Sequence, residues 1–123
     1  MQMAPMAMML STEGKVDDVV AYIARLDPGV PADMGEGDSG RGEAHYTVCV
    51  ACHGRDGEGI EQQRAPMLSG QHAWYLARQL RNYREGLRGY HEEDAEGKLM
   101  VPQALLLQDD EAIDDVVAFI RSL

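Results

Sequence analysis

Apolar residues recur at helical spacing in two separated stretches of the chain. Leu76, Leu80, Tyr83 and Leu87 fall at intervals of four, three and four. That is the signature of one buried helix stripe. It predicts a long amphipathic helix beginning near Gln71, with Arg78, Arg81, Arg84 and Glu85 mostly on the other face and Gly86 and Gly89 at a fraying end. Ile113, Val116, Val117 and Ile120 form a second stripe. The last helix should start near Asp109, where Asp109, Asp110 and Glu111 suit the positive end of the helix dipole. Asp38 and Ser39 are plausible N-caps for a third helix running to about Val50. Gly54, Gly57 and Gly59 predict a turning loop, Ala65–Gly70 a second non-helical stretch, and residues 90–98 a polar loop. No strand-like alternation occurs, so the expected class is all-α.

The pattern of the C-terminus also appears at the N-terminus. Residues 3–26 align without gaps on residues 100–123, at an offset of 97 from Met3 to Met100. Met3-Ala4-Pro5 matches Met100-Val101-Pro102, and Asp17-Asp18-Val19-Val20-Ala21 matches Asp114-Asp115-Val116-Val117-Ala118. An offset of one small domain suggests a tandem whose first unit is represented by its closing segment alone. The expected division is residues 1–26 as a remnant (a Met-bearing loop plus a last helix), residues 27–37 as a linker rich in Pro, Gly and acid, and residues 38–123 as a complete domain. Val16, Val19, Val20, Ile23 and Leu26 would leave the remnant with an apolar face that needs cover. The expectation is packing on the intact unit or on another chain, as in a dimer through residues 1–26, by exchange with the equivalent last helix.

Charge narrows the partners. The chain has 123 residues and a formal net charge of −10, which argues against nucleic acid. It suits transient docking on a partner's basic patch, and it equally suits simple solubility. No apolar run is long enough to span a membrane. The Met-rich N-terminus lacks the basic lead and cleavage site of a signal peptide.

Chemistry concentrates in Cys49-Val50-Ala51-Cys52-His53, which holds both cysteines of the chain. This pattern reads as covalent haem attachment: two thiols forming thioethers, with the adjacent imidazole placed to bind the iron. A thiol redox pair is expected near a βαβ pattern, which is missing. A structural zinc site needs four ligands, and His45, His72 and His91 lack the paired spacing. A haem would also give a small domain a large apolar body to pack on. Since haem attachment of this kind takes place outside the cytoplasm, a leader or more is expected to have been removed.

One histidine leaves a sixth iron position. Met100 is the candidate, in an expected loop before the last helix and stiffened by Pro102. A thioether there favours ferrous iron and raises the reduction potential. Met67, His72 and His91 are the rivals, and Met3 shares the M-x-P pattern. The cluster of Met1, Met3, Met6, Met8 and Met9 reads less well as a copper(I) site, because the repeat already accounts for Met3.

From Gly40 onward the chain resembles the class I cytochromes c of bacteria, particularly the units of two-domain, di-haem cytochromes c. The shared residues are Cys49–Gly54, Asp56-Gly-Glu-Gly59, Pro66–Gln71, Tyr75-Leu76, Gln79-Leu80, Gly86–Arg88, Met100–Pro102 and the closing Asp-Val-Val-Ala-Phe-Ile helix. The resemblance implies an all-α fold wrapped around one covalent haem c. It implies Cys49 and Cys52 as thioether donors, His53 and Met100 as axial iron ligands, and Pro66 as the residue whose carbonyl fixes the His53 ring. It also implies a periplasmic location, or the periplasmic face of the membrane. The implied role is electron carriage, without catalysis of its own, between a respiratory donor complex or dehydrogenase and a terminal oxidase or reductase, membrane-bound complexes included. Two other readings remain: a cytochrome domain cut from a larger multi-haem oxidoreductase, and a haem protein with a labile sixth ligand that binds small molecules.

Overall fold

The computed structural model describes residues 3–12 and 14–123. Seven α-helices are present among them: α1 Met3–Met8, α2 Lys15–Ile23, α3 Ser39–Tyr46, α4 Val50–His53, α5 Ala73–Arg84, α6 Ala95–Leu105 and α7 Asp110–Ser122. A short 3₁₀ turn spans Glu61–Gln63, and an isolated bridge joins Ile60 to Ala65. The described residues contain no other strand-like pairing.

The core is built where α7 crosses α3, with α5 against α7 and α6 against α5. Ile113, Val116, Val117 and Ile120 are all buried, as their spacing predicts. Gly42 allows α3 to lie directly on α7. A Cβ there would stand 2.0 Å from the carbonyl oxygen of Asp115. Tyr46 and Phe119 meet beside this crossing, with ring centroids 5.3 Å apart. Asp115 is buried on α7, yet its carboxylate is fully partnered. It accepts from Arg41 Nε at 2.6 Å and from the Asp38 amide at 2.7 Å. The Arg41 guanidinium holds the Asp115 carboxyl below its ordinary range.

Side-chain caps set two predicted helix starts. Asp38 accepts from the Arg41 amide at 2.9 Å, and Asp109 from the Ala112 amide at 2.8 Å. Three expectations need correction. The third helix does not run to Val50: α3 ends at Tyr46, and α4 begins separately at Val50 after a turn. Leu87 is 65% exposed, because α5 stops at Arg84 and the stripe runs out of helix. Residues 90–98 are not loop throughout. Asp94 accepts from the Gly97 amide at 2.8 Å and starts α6. That helix carries Met100 and tolerates Pro102, whose ring suits helical φ at the cost of one backbone bond.

At the N-terminus α1 and α2 contain no buried residue. Residues 27–30 follow without regular structure. From Pro31 the chain is tied down: Arg121 of α7 donates to the carbonyls of Pro31 and Asp33. Gly35 packs on the core as well, since a Cβ there would stand 3.5 Å from Val117 and 3.6 Å from Ala73.

Candidate haem-attachment site

A single turn, α4, brings Cys49, Cys52 and His53 together. Cys49 occupies its N-cap position, and its carbonyl accepts from the amides of Cys52 at 3.2 Å and His53 at 2.9 Å. Both thiols are free; Cys49 is half-buried and Cys52 exposed. Burial, with Cys52 beside it, pushes the Cys49 thiol up to about 11. A thiol raised in this way is the opposite of the lowered thiols that redox-active CxxC pairs use.

The loop after α4 is folded back by its glycines. The Gly59 amide donates to the His53 carbonyl at 2.8 Å, and the Leu68 amide donates to the Gly57 carbonyl at 2.7 Å. Gly59 has φ +78°, and a Cβ there would stand 2.6 Å from the Met67 nitrogen. Lack of a side chain at Gly59 therefore lets the Ala65–Met67 segment lie alongside. This brings the Pro66 carbonyl to 2.8 Å from His53 Nδ1. A carbonyl only accepts, so Nδ1 carries the proton and Nε2 keeps its lone pair for a metal. Tyr46 steadies the turn from the other side, donating to the Gly54 carbonyl at 2.8 Å.

The donor set fits a covalently attached haem. Two unpaired thiols and one oriented imidazole share one turn, and the imidazole is buried. Apolar side chains next in sequence to the site residues are exposed: Val48 beside Cys49, Met67 beside Pro66 and Leu99 beside Met100. A flat apolar group would cover such surface.

Met100 is half-buried on α6, a helix and not the expected loop. Met67 is 57% exposed. His72 precedes α5 as its N-cap, and His91 accepts from the Glu93 amide at 3.3 Å; both are exposed. Met3 lies exposed on α1. Sequence reasoning missed Arg64 and Glu96. Their ion pair at 2.6 Å links the segment leading to Pro66 with the first turn of α6. No motif announces it, because the partners are 32 positions apart.

Helices gathered around a CxxCH turn whose histidine is held by a proline carbonyl define a class I c-type cytochrome. A family model described as Cytochrome c matches residues 39–123, and the chain belongs to that family. Among its relatives is cytochrome c-554(548) of Halomonas halodenitrificans, 40% identical over 86 residues, covering 70% of this chain and 96% of that protein. Another is the thiosulfate dehydrogenase electron acceptor of Stutzerimonas stutzeri, 32% identical over 120 residues, covering 89% of this chain and 53% of that protein. The crystal structure of reduced recombinant cytochrome c4 from Pseudomonas stutzeri superposes with a TM-score of 0.75 at 27% identity, covering all of this chain and 66% of that one. The chain thus spans between about half and two thirds of these two longer relatives.

Proposed function

We propose that this protein is a one-electron carrier with a His53/Met100-ligated haem c, working in the periplasm between a respiratory donor complex or dehydrogenase and a terminal oxidase or reductase. The observation that carries the reading is the 2.8 Å contact of His53 Nδ1 with the Pro66 carbonyl, on the same turn as two free thiols. Haem supplies the Fe(III)/Fe(II) couple; the chain supplies attachment, ligands and surroundings. Cys49 and Cys52 anchor the group, so it cannot leave on redox cycling. The carbonyl of Pro66 keeps the His53 ring in one orientation and raises its basicity. Met100 presents a soft sulfur that favours the ferrous state. His53 and Met100 would between them hold the iron and leave no position for a substrate, which suits a carrier better than a catalyst.

In this reading residues 38–123 form the complete unit, and residues 1–26 are the closing segment of another. The name of the Stutzerimonas relative supports a redox enzyme as donor. The net charge of −10 favours a partner with a basic docking patch. No described helix is long and apolar enough to cross a membrane.

Replacing Met100 by Ala tests the ligand assignment. The iron–sulfur absorption band of the oxidised protein should vanish while the haem stays covalently attached, and the ferrous variant should bind carbon monoxide rapidly. Survival of the band would place another sulfur, from Met67 or Met3, on the iron.

A further inference from the structure

Two stretches of chain converge on His53. One is its own turn, which ends at Gly54. The other is the segment 65–69, which brings the Pro66 carbonyl to the ring. That segment is tied to Gly57, whose carbonyl accepts from the Leu68 amide at 2.7 Å, the Ser69 amide at 3.1 Å and Ser69 Oγ at 3.3 Å. Gly54 and Gly57 turn the chain at φ +82° and +65°. Glycine suits those angles but has no side chain with which to anchor the loop.

The anchor comes from α3. Tyr46 closes that helix, is 2% exposed and belongs to the core, with its ring beside Phe119. Its hydroxyl donates to the buried Gly54 carbonyl at 2.8 Å. Among the described residues no backbone amide donates to that carbonyl. The Gly57 amide is a hydrogen-bonding neighbour of the same hydroxyl, and a phenol both donates and accepts. One oxygen thus links the end of the His53 turn to the residue that holds the Pro66 segment. Phenylalanine would fill the same core space, and a buried hydroxyl is costly unless it is bonded. Burial, with Cys49 beside it, pushes the Tyr46 hydroxyl up to about 12, so it stays a donor at neutral pH.

We propose that Tyr46 is a positioning residue for the haem iron: its hydroxyl holds the glycine loop so that the Pro66 carbonyl stays on His53, and through that bond it tunes the reduction potential. This deepens the electron-carrier reading given above and rests on it. Tyr46 acts through Gly54, Gly57 and Pro66. The rigid crossing of α3 and α7 is what makes its hydroxyl a fixed point for the loop.

The test is Tyr46→Phe in the mature, haem-bearing protein, which keeps the ring and removes the oxygen. A looser Pro66 carbonyl leaves the imidazole less basic, so ferric iron is stabilised less and the reduction potential should rise. In NMR of the reduced protein the His53 Nδ1 proton should exchange with solvent roughly fivefold faster, measured against the core amides of Val116 and Val117. Phe119→Leu is the control. It loosens the ring packing but spares the hydroxyl, so it should lower stability and leave the potential and the Nδ1 exchange at wild-type values. A Tyr46→Phe protein that is less stable yet has wild-type potential and exchange would overturn the proposal. So would Phe119→Leu moving the potential as far as Tyr46→Phe does. If Tyr46→Phe yields no mature protein, Ser69→Ala carries the test, because it removes the 3.3 Å bond to Gly57 from the same tie. A smaller rise in potential is then expected, and an unchanged potential overturns the proposal. The carrier reading fails separately: wild-type protein without haem has no potential to measure, and that result falls before any variant is made.

Discussion

His53 Nδ1 donates to the carbonyl of Pro66 across 2.8 Å, joining two residues 13 positions apart. The bond fixes the tautomer of the imidazole and adds electron density to the ring. Pro66→Ala keeps a carbonyl but frees the backbone that aims it. A less basic imidazole stabilises ferric iron less, so the reduction potential of the variant should rise. Spectroelectrochemical titration of both proteins measures this. An unchanged potential would mean that the loop, held by Gly57 and Gly59, aims the carbonyl without help from the proline ring.

Arg64 and Glu96 form a second link, between the proline loop and the helix that carries Met100. Both are exposed enough for solvent to weaken the pair. Arg64 nevertheless holds the Glu96 carboxyl below its ordinary range through a direct hydrogen bond. Glu96→Gln should barely alter unfolding. It should let α6 move more freely and speed displacement of the sixth ligand by added imidazole by roughly two- to fivefold. The difference from wild type should disappear in about 1 M salt, where the Debye length falls to about 3 Å. Stopped-flow mixing at low and high salt reads both effects.

Helix α3 contains two glycines with opposite expectations. A methyl at Gly42 would meet the Asp115 carbonyl oxygen at 2.0 Å and Phe119 Cβ at 2.8 Å. Gly42→Ala must push α3 off α7 and should cost about 1–3 kcal/mol or more. A methyl at Gly40 meets only the Asp38 carboxylate oxygen, at 3.1 Å. Gly40→Ala should be neutral or stabilising by up to about 1 kcal/mol, because alanine is the better helix former. Denaturant unfolding of the two holoproteins separates them.

Asp115 gives the fold an acid limb. Its carboxyl is held down chiefly by the hydrogen bond from Arg41, then by the Asp38 amide. A depressed carboxyl stabilises the fold above its unfolded pKa of about 3.9 and loses that contribution as pH falls through the folded value. Asp115→Asn should therefore be less stable than wild type at neutral pH, and the gap should narrow below about pH 4. Thermal unfolding followed from pH 7 to pH 3 measures it. A constant gap across that range would assign the loss to shape and not to charge.

Much of this was legible in the sequence where one residue's role is local. The α7 stripe is periodic and its cap, Asp109, acts three residues away, so both could be placed. The Cys49–His53 motif fits on one turn and could also be read directly. Helix α6 could not. Its first turn, Asp94–Gly97, looks polar and loop-like, and Pro102 reads as a breaker. The helix forms because Asp94 caps it and α5 lies against it. Leu87 continues a stripe by spacing but lies past Arg84, where the helix has ended. The Arg64–Glu96 and Arg121–Asp33 contacts join distant residues, and no periodicity encodes them.

Everything proposed for this chain depends on one covalent haem on Cys49 and Cys52, with His53 and a methionine sulfur on its iron. The most direct measurement is an intact mass together with optical spectra of the oxidised and reduced, fully matured protein. The predicted result is the chain mass plus one haem, the sharp reduced bands of a c-type cytochrome, and an iron–sulfur band in the oxidised form. A colourless protein at bare chain mass, with Cys49 and Cys52 free or joined to each other, would contradict it.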